Sequence, residues 1–232
     1  MRKLKNKKII FIALDCSINK AKFIIKSLQK TKSKKYIFGL KIGYQIFYSE
    51  KGRRFIKSIT KFPIFLDLKL HDIENTIKNA LHAIKDLKNI NYISIHTSCG
   101  LQAIKSAKKI TKANLLGVTT LTSFNQKMLK EIGHTKKINN LILQQAKLAK
   151  QAGCYAVICS GKESFKINKL AKIKTITPGI RLLGDKTDDQ KRVVTPKDAL
   201  TKQNAFGIVI GRSITSGNIK NNFKKLFDHL KL

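Results

Sequence analysis

The sequence contains no tryptophan, only three prolines, and 13 acidic residues against 48 lysines and arginines. Its four cysteines, Cys16, Cys99, Cys154 and Cys159, form no C-x-x-C pair and have no histidines near them at zinc-finger spacing. This pattern argues against a disulfide framework and a structural zinc site, so free thiols in a reducing cytoplasm are expected. Near the start, the apolar run Ile9 to Leu14 is stopped by Asp15. It is too short for the core of a signal peptide or for a membrane span. No G-x-G-x-x-G follows it, which removes the usual signature of a dinucleotide-binding fold. Aromatics make up 7% of the chain, and no aromatic stripe for stacking nucleic-acid bases stands out.

The formal net charge is +35. Such a charge points toward nucleic acid or another anionic surface. Its distribution argues otherwise. Lysine is spread over nearly every expected helix, with no block or tail, whereas nucleic-acid binders gather their cations into a patch. Lysine, isoleucine and asparagine are abundant throughout, which reads as compositional drift. No membrane association is expected.

Along the chain, short apolar runs alternate with amphipathic stretches. Strands are expected at Ile9–Asp15, Tyr36–Gly43, Ile64–Leu70, Tyr92–Thr97, Asn114–Leu121, Tyr155–Cys159, Lys174–Pro178 and Phe206–Ile210. Helical stretches between them include Lys20–Lys30, Ile73–Leu87, Leu101–Ile110, Ile138–Ala152 and Asn218–Leu230. Strand then helix, eight times over, implies a parallel sheet. At 232 residues and 42% hydrophobic content, this predicts one α/β domain over 1–232, a closed (β/α)8 TIM barrel. An open doubly wound sheet is the rival architecture.

The most informative stretch is Phe65-Leu66-Asp67-Leu68-Lys69-Leu70-His71-Asp72. Strand alternation sends Leu66, Leu68 and Leu70 to one face and Asp67, Lys69 and His71 to the other. In a chain so poor in acids, two aspartates here bracket a lysine. An exposed edge strand with solvated charges is the plain alternative. In a central strand the charges would have to be paired, as they often are at functional sites.

A barrel carries its chemistry at the C-terminal ends of the strands. Those ends supply Asp15, Lys41, Asp67, Lys69, Asp72, His96, Thr122, Ser123, Ser160, Arg181 and Arg212. Singly, each has an ordinary reading. Asp15, Thr122 and Ser123 suit helix caps, and His96 suits a hydrogen-bonded core histidine. The seventh and eighth strand ends read Pro178-Gly179-Ile180-Arg181 and Gly211-Arg212-Ser213. Barrels often bind phosphate at these two loops, with glycine admitting backbone amides and arginine gripping the anion. The polar stretch Leu182 to Thr195 between them suits a closing lid.

These pieces together resemble the orotidine 5′-phosphate decarboxylase family. The matching elements are Ala13-Leu14-Asp15, Lys41-Ile42-Gly43, Asp67-Leu68-Lys69-Leu70-His71-Asp72-Ile73 with Asn75-Thr76, Leu121-Thr122-Ser123, Pro178-Gly179-Ile180-Arg181, Asp189-Gln190 and Ile210-Gly211-Arg212. They run in the family's order. Glu74 departs from the pattern, since the family usually has proline there. The resemblance implies conversion of orotidine 5′-monophosphate (OMP) to uridine 5′-monophosphate and CO2 in pyrimidine biosynthesis, without metal or organic cofactor.

It also implies roles. Lys69 would stabilise and protonate the carbanion left by CO2. Asp67, Lys41 and Asp72 would complete an alternating set of charges. Asp15 and Thr76 would meet the ribose, Thr122 the pyrimidine, and Gln190 both base and phosphate. Arg181, Gly211 and Arg212 would hold the phosphate, with Ile73 also lining the substrate. The family acts as a homodimer, with Asp72 and Thr76 serving the neighbouring site. Two other readings stay open: a metal-dependent sister enzyme acting on a 3-keto-hexulose phosphate, and a nucleic-acid binder built on the barrel.

Overall fold

The computed structural model describes residues 7–29, 33–182, 184–185 and 194–231. Eight parallel strands close into a barrel in simple sequence order. They are β1 (Lys8–Ala13), β2 (Tyr36–Ile42), β3 (Ile64–Leu70), β4 (Ile90–His96), β5 (Asn114–Val118), β6 (Ala156–Ile158), β7 (Lys174–Thr177) and β8 (Gly207–Ile210). Pairing of β1 with β8, from Ile9 opposite Gly207 to Ile12 opposite Ile210, closes the ring. The expected barrel is therefore the observed one, and the open sheet is ruled out. The edge-strand reading of β3 also falls, because β2 and β4 flank it.

Period-2 alternation builds two cores. Outward residues such as Ile10, Ile12, Leu40, Ile42, Leu66 and Ile93 pack under the helices. Each such buried side chain contributes about 1.5–3 kcal/mol. Inward residues Ile9, Phe11, Phe65, Leu116, Ala156, Ile176 and Val209 fill the lower barrel. Phe11 meets Phe65 and Tyr92 edge-on, each at 5.4 Å between centroids. Opposite it, a Cβ on Gly39 would lie 2.8 Å from the Phe11 ring, so β2 needs glycine there. Two residues further along β2, β3 and β4, the same inward face presents Lys41, Asp67 and Ser94. The apolar floor thus gives way to a polar layer in a single step of the pleat.

Local details depart from the sequence expectations. β5 stops at Val118, short of Leu121, because Thr119 and Thr120 turn their polar groups to new partners. The Thr119 hydroxyl donates to the Ile158 carbonyl at 2.9 Å, and the Thr120 amide donates to Gln145 Oε1 at 2.7 Å. The helix expected over Ile73–Leu87 spans Glu74–Ala83. Asp15 does not cap the first helix, Ile18–Leu28. Ser17 does, its hydroxyl accepting the Lys20 amide. Thr122 and Ser123 form a turn, and Asn125 caps the helix Gln126–Glu131 through the Met128 amide. The Ser-x-x-Glu pattern of Ser160 and Glu163 opens the helix Gly161–Ala171. No described helix is long and apolar enough to cross a membrane.

Candidate active site

The polar layer at the barrel mouth is organised as a chain of alternating charges. Asp15, just past β1, accepts a 3.0 Å hydrogen bond from the Lys41 ammonium of β2. The same ammonium lies 3.4 Å from Asp67 Oδ2 on β3. That oxygen also accepts a 2.9 Å bond from Lys69 Nζ. The Ser94 hydroxyl on β4 donates to the other oxygen, Asp67 Oδ1, at 2.8 Å. Three neighbouring strands thus converge on one carboxylate, and the loop after β1 joins them through Lys41.

Asp67 is 7% exposed, and an isolated buried carboxylate would cost several kcal/mol. Burial raises its pKa, but the Lys41 and Lys69 ammoniums and the Ser94 hydroxyl outweigh this and hold it below the usual aspartate value. For Lys41, burial favours the neutral amine. The carboxylates of Asp67 and Asp15 overcome that and raise its pKa above the ordinary lysine value. The arrangement favours the charged forms of Asp67 and Lys41 and leaves the Lys69 side chain partly open to the mouth. It can place a positive charge, without reorganisation, beside an atom that gains electrons.

β3 is bent to achieve this. Between Leu66 and Leu70 it advances four residues while β4 advances two, from Ile93 to Ile95. Lys69 sits inside this irregularity with φ +45°, a left-handed conformation costly for a side-chain-bearing residue. The expected alternation holds through Asp67 and Leu68, and the twist then returns the Lys69 amine to Asp67.

Asp72 lies just beyond β3 and does not pair with Lys69 within the chain. It is exposed, and its Oδ1 accepts the Ile73 amide at 2.7 Å. Thr76 is also exposed on the following helix. A cleft of about 450 Å³ runs past Tyr44, Tyr48, Lys69, Asp72 and Thr76. Ile73 is 72% and Tyr48 73% exposed, an unusual display for large apolar groups. A larger cleft of about 750 Å³, lined by Cys16, Lys22, Lys51 and Arg54 among others, contains none of the predicted site residues.

His96 is the hydrogen-bonded histidine expected, its Nδ1 paired with Ser98 Oγ at 2.7 Å. Thr122 is half-buried in the turn after β5. On the far side of the mouth, Gly179 takes φ +74°, and the Arg181 amide donates to the Val194 carbonyl at 3.2 Å. Ile180 and Val194 form an isolated parallel β-bridge. Arg181 is 8% exposed, its guanidinium donating to the Ile180 carbonyl at 3.2 Å. Gly211 starts the short helix Arg212–Thr215, and Arg212 is exposed. Gln190, with Asp188 and Asp189, lies outside the described residues.

Two participants were not anticipated. Ser94 is legible in hindsight as the inward neighbour of His96 on β4. Tyr44 donates its hydroxyl to the Leu68 carbonyl at 3.0 Å, and its ring lies 5.8 Å below Lys69 Nζ. Nothing in its sequence context marks it.

Comparison with known proteins identifies relatives over most of the chain. A protein named orotidine 5′-phosphate decarboxylase from Buchnera aphidicola subsp. Acyrthosiphon pisum (strain Tuc7) is 43% identical over 227 residues, covering 94% of this chain and 92% of the relative. One of the same name from Buchnera aphidicola subsp. Schizaphis graminum is 45% identical over 199 residues, 82% of each. The crystal structure of orotidine 5′-phosphate decarboxylase from Lactobacillus acidophilus superposes with a TM-score of 0.76 at 31% identity, covering 97% of this chain and 100% of that one. The family model described as orotidine 5′-phosphate decarboxylase / HUMPS matches residues 8–223, and the chain belongs to that family.

Proposed function

We propose that this protein is an orotidine 5′-phosphate decarboxylase, converting OMP to uridine 5′-monophosphate and CO2 in the cytoplasm, with no metal or organic cofactor. The observation that carries the reading is the charge chain Asp15–Lys41–Asp67–Lys69. When the bond between C6 and the carboxylate breaks, CO2 departs and the electron pair stays on C6, where the ring delocalises it poorly. The Lys69 ammonium stabilises that pair and then delivers a proton to C6. Asp67 holds Lys69 in place, and Lys41 balances the charge of Asp67.

The remaining assignments follow the family pattern. Asp15 binds a ribose hydroxyl, Thr122 the pyrimidine, and Ile73 lines the substrate. Arg181, Gly211 and Arg212 bind the phosphate, and Gln190 bridges base and phosphate. Phosphate is remote from the breaking bond, so its binding energy serves closure and orientation. Asp72 and Thr76 act in the site of a second copy. The exposed Ile73 and Tyr48 beside them support a two-fold interface there.

The test follows the ultraviolet absorbance of OMP with purified protein and excess EDTA. Steady decarboxylation is the expected outcome. Loss of activity with EDTA, restored by Mg²⁺ or Zn²⁺, would overturn the cofactor-free reading.

A further inference from the structure

Ser94 has no assigned role in the reaction, yet its hydroxyl lies at the junction of the charge chain and the bent strand. It is fully buried on β4. It accepts the Lys69 backbone amide at 2.8 Å and donates to Asp67 Oδ1 at 2.8 Å. A serine hydroxyl has one proton to give and two lone pairs to accept with, so both bonds can coexist.

We propose that Ser94 is a positioning residue for decarboxylation, fixing Asp67 and the Lys69 backbone relative to one another through a single hydroxyl. The inference rests on the decarboxylase reading of the site. The reasoning has two parts. First, the four-against-two advance of β3 over β4 takes Lys69 out of the regular ladder, and its amide needs another acceptor. Ser94 supplies it and so offsets the cost of φ +45° at Lys69. Second, Ser94 occupies Oδ1 and leaves Oδ2 to the two ammoniums, Lys69 at 2.9 Å and Lys41 at 3.4 Å. The carboxylate therefore has one orientation, and the Lys69 amine is held by side chain and backbone together. Displacement of a catalytic group by 1 Å can cost on the order of 100-fold in rate.

The test compares Ser94→Ala, Ser94→Cys and Ser94→Thr with the wild-type protein. Alanine and cysteine preserve a small side chain but remove or weaken the hydrogen bonds, whereas threonine retains the hydroxyl. The expected result is a fall in kcat of about 10- to 100-fold for alanine, with KM nearly unchanged, an intermediate loss for cysteine, and partial recovery with threonine. The acid limb of the pH profile for kcat/KM should also move to higher pH in Ser94→Ala, because the serine bond favours the Asp67 carboxylate. The charged groups facing Asp67 are Lys41 from β2 and Lys69 on its own strand, with Tyr44 nearby. The substitution removes none of these groups.

A kcat within threefold of wild type in Ser94→Ala would overturn the proposal. So would an equal loss in kcat without movement of the acid limb, since that is what simple loss of folded protein produces. If wild-type protein does not decarboxylate OMP, the functional reading fails instead. A carbon-13 titration of the Asp67 carboxyl, in wild type and Ser94→Ala, then still decides whether Ser94 holds that carboxylate.

Discussion

The rings of His71 and His96 stack with centroids 4.8 Å apart and planes 23° from parallel, beside the strand that carries Lys69. Burial lowers the His96 pKa, and electrostatic repulsion from the neighbouring His71 and Lys69 side chains lowers it further, from the ordinary 6.5 to about 4. His96 is therefore neutral in the folded protein at pH 5, while the unfolded chain binds a proton there. Stability is accordingly lost as pH falls from about 6.5 toward 4. His96→Asn should flatten the fall in Tm between pH 7 and pH 5. Parallel Tm curves for the two proteins would show that His96 gains no such neutrality on folding.

Lys69→Ala should reduce kcat by about 10³-fold or more, ~4 kcal/mol of barrier. Binding of the product nucleotide should persist, because the proposed phosphate contacts at Gly211 and Arg212 lie just past β8, at the start of the helix Arg212–Thr215. Calorimetry with uridine 5′-monophosphate and single-turnover kinetics separate the two effects. Turnover within about tenfold of wild type, ~1.4 kcal/mol, would remove Lys69 from the central role.

Arg212→Ala should lower kcat/KM for OMP by about 10²-fold, ~2.7 kcal/mol. Orotidine without its phosphate should be nearly insensitive to the change. The ratio of the two effects is the measurement. Equal damage to both substrates would show that Arg212 does not grip the phosphate.

Asp72 bonds its own loop at Ile73 and leaves Lys69 to Asp67 within the chain. In a C2 dimer with shared sites, Lys69→Ala and Asp72→Ala chains are each inactive alone. After subunit exchange, about half of the dimers are mixed, and each mixed dimer has one intact site. Roughly a quarter of wild-type activity should return. A mixture that stays inactive after exchange is demonstrated would place Asp72 in its own chain's chemistry or outside it.

Sequence alone determined a parallel α/β sheet of eight strands, because eight apolar runs of strand length alternate with helical stretches, and a parallel sheet needs each crossover; its closure was decided by the pairing of β1 with β8. It also located most of the charged residues near the strand ends, since period 2 and the end of each run mark them, although β5 ends at Val118 and not at Leu121. Asp15, Lys41, Asp67 and Lys69 were legible as charges in a chain poor in acids. Only the tertiary structure decided how they meet. The shared use of Asp67 Oδ2 by two lysines depends on three strands converging. The left-handed turn at Lys69 depends on a register shift between β3 and β4 that no local pattern encodes. Helix caps moved for a similar reason. Asp15 suits a cap by type, but the Lys41 ammonium 3.0 Å away gives its carboxylate a charged partner, and Ser17 takes the helix instead. Ser94 and Tyr44 are ordinary residues in sequence. Their positions matter because the barrel brings β4 and the segment after β2 against one strand, and contact across strands is a property of the closed sheet.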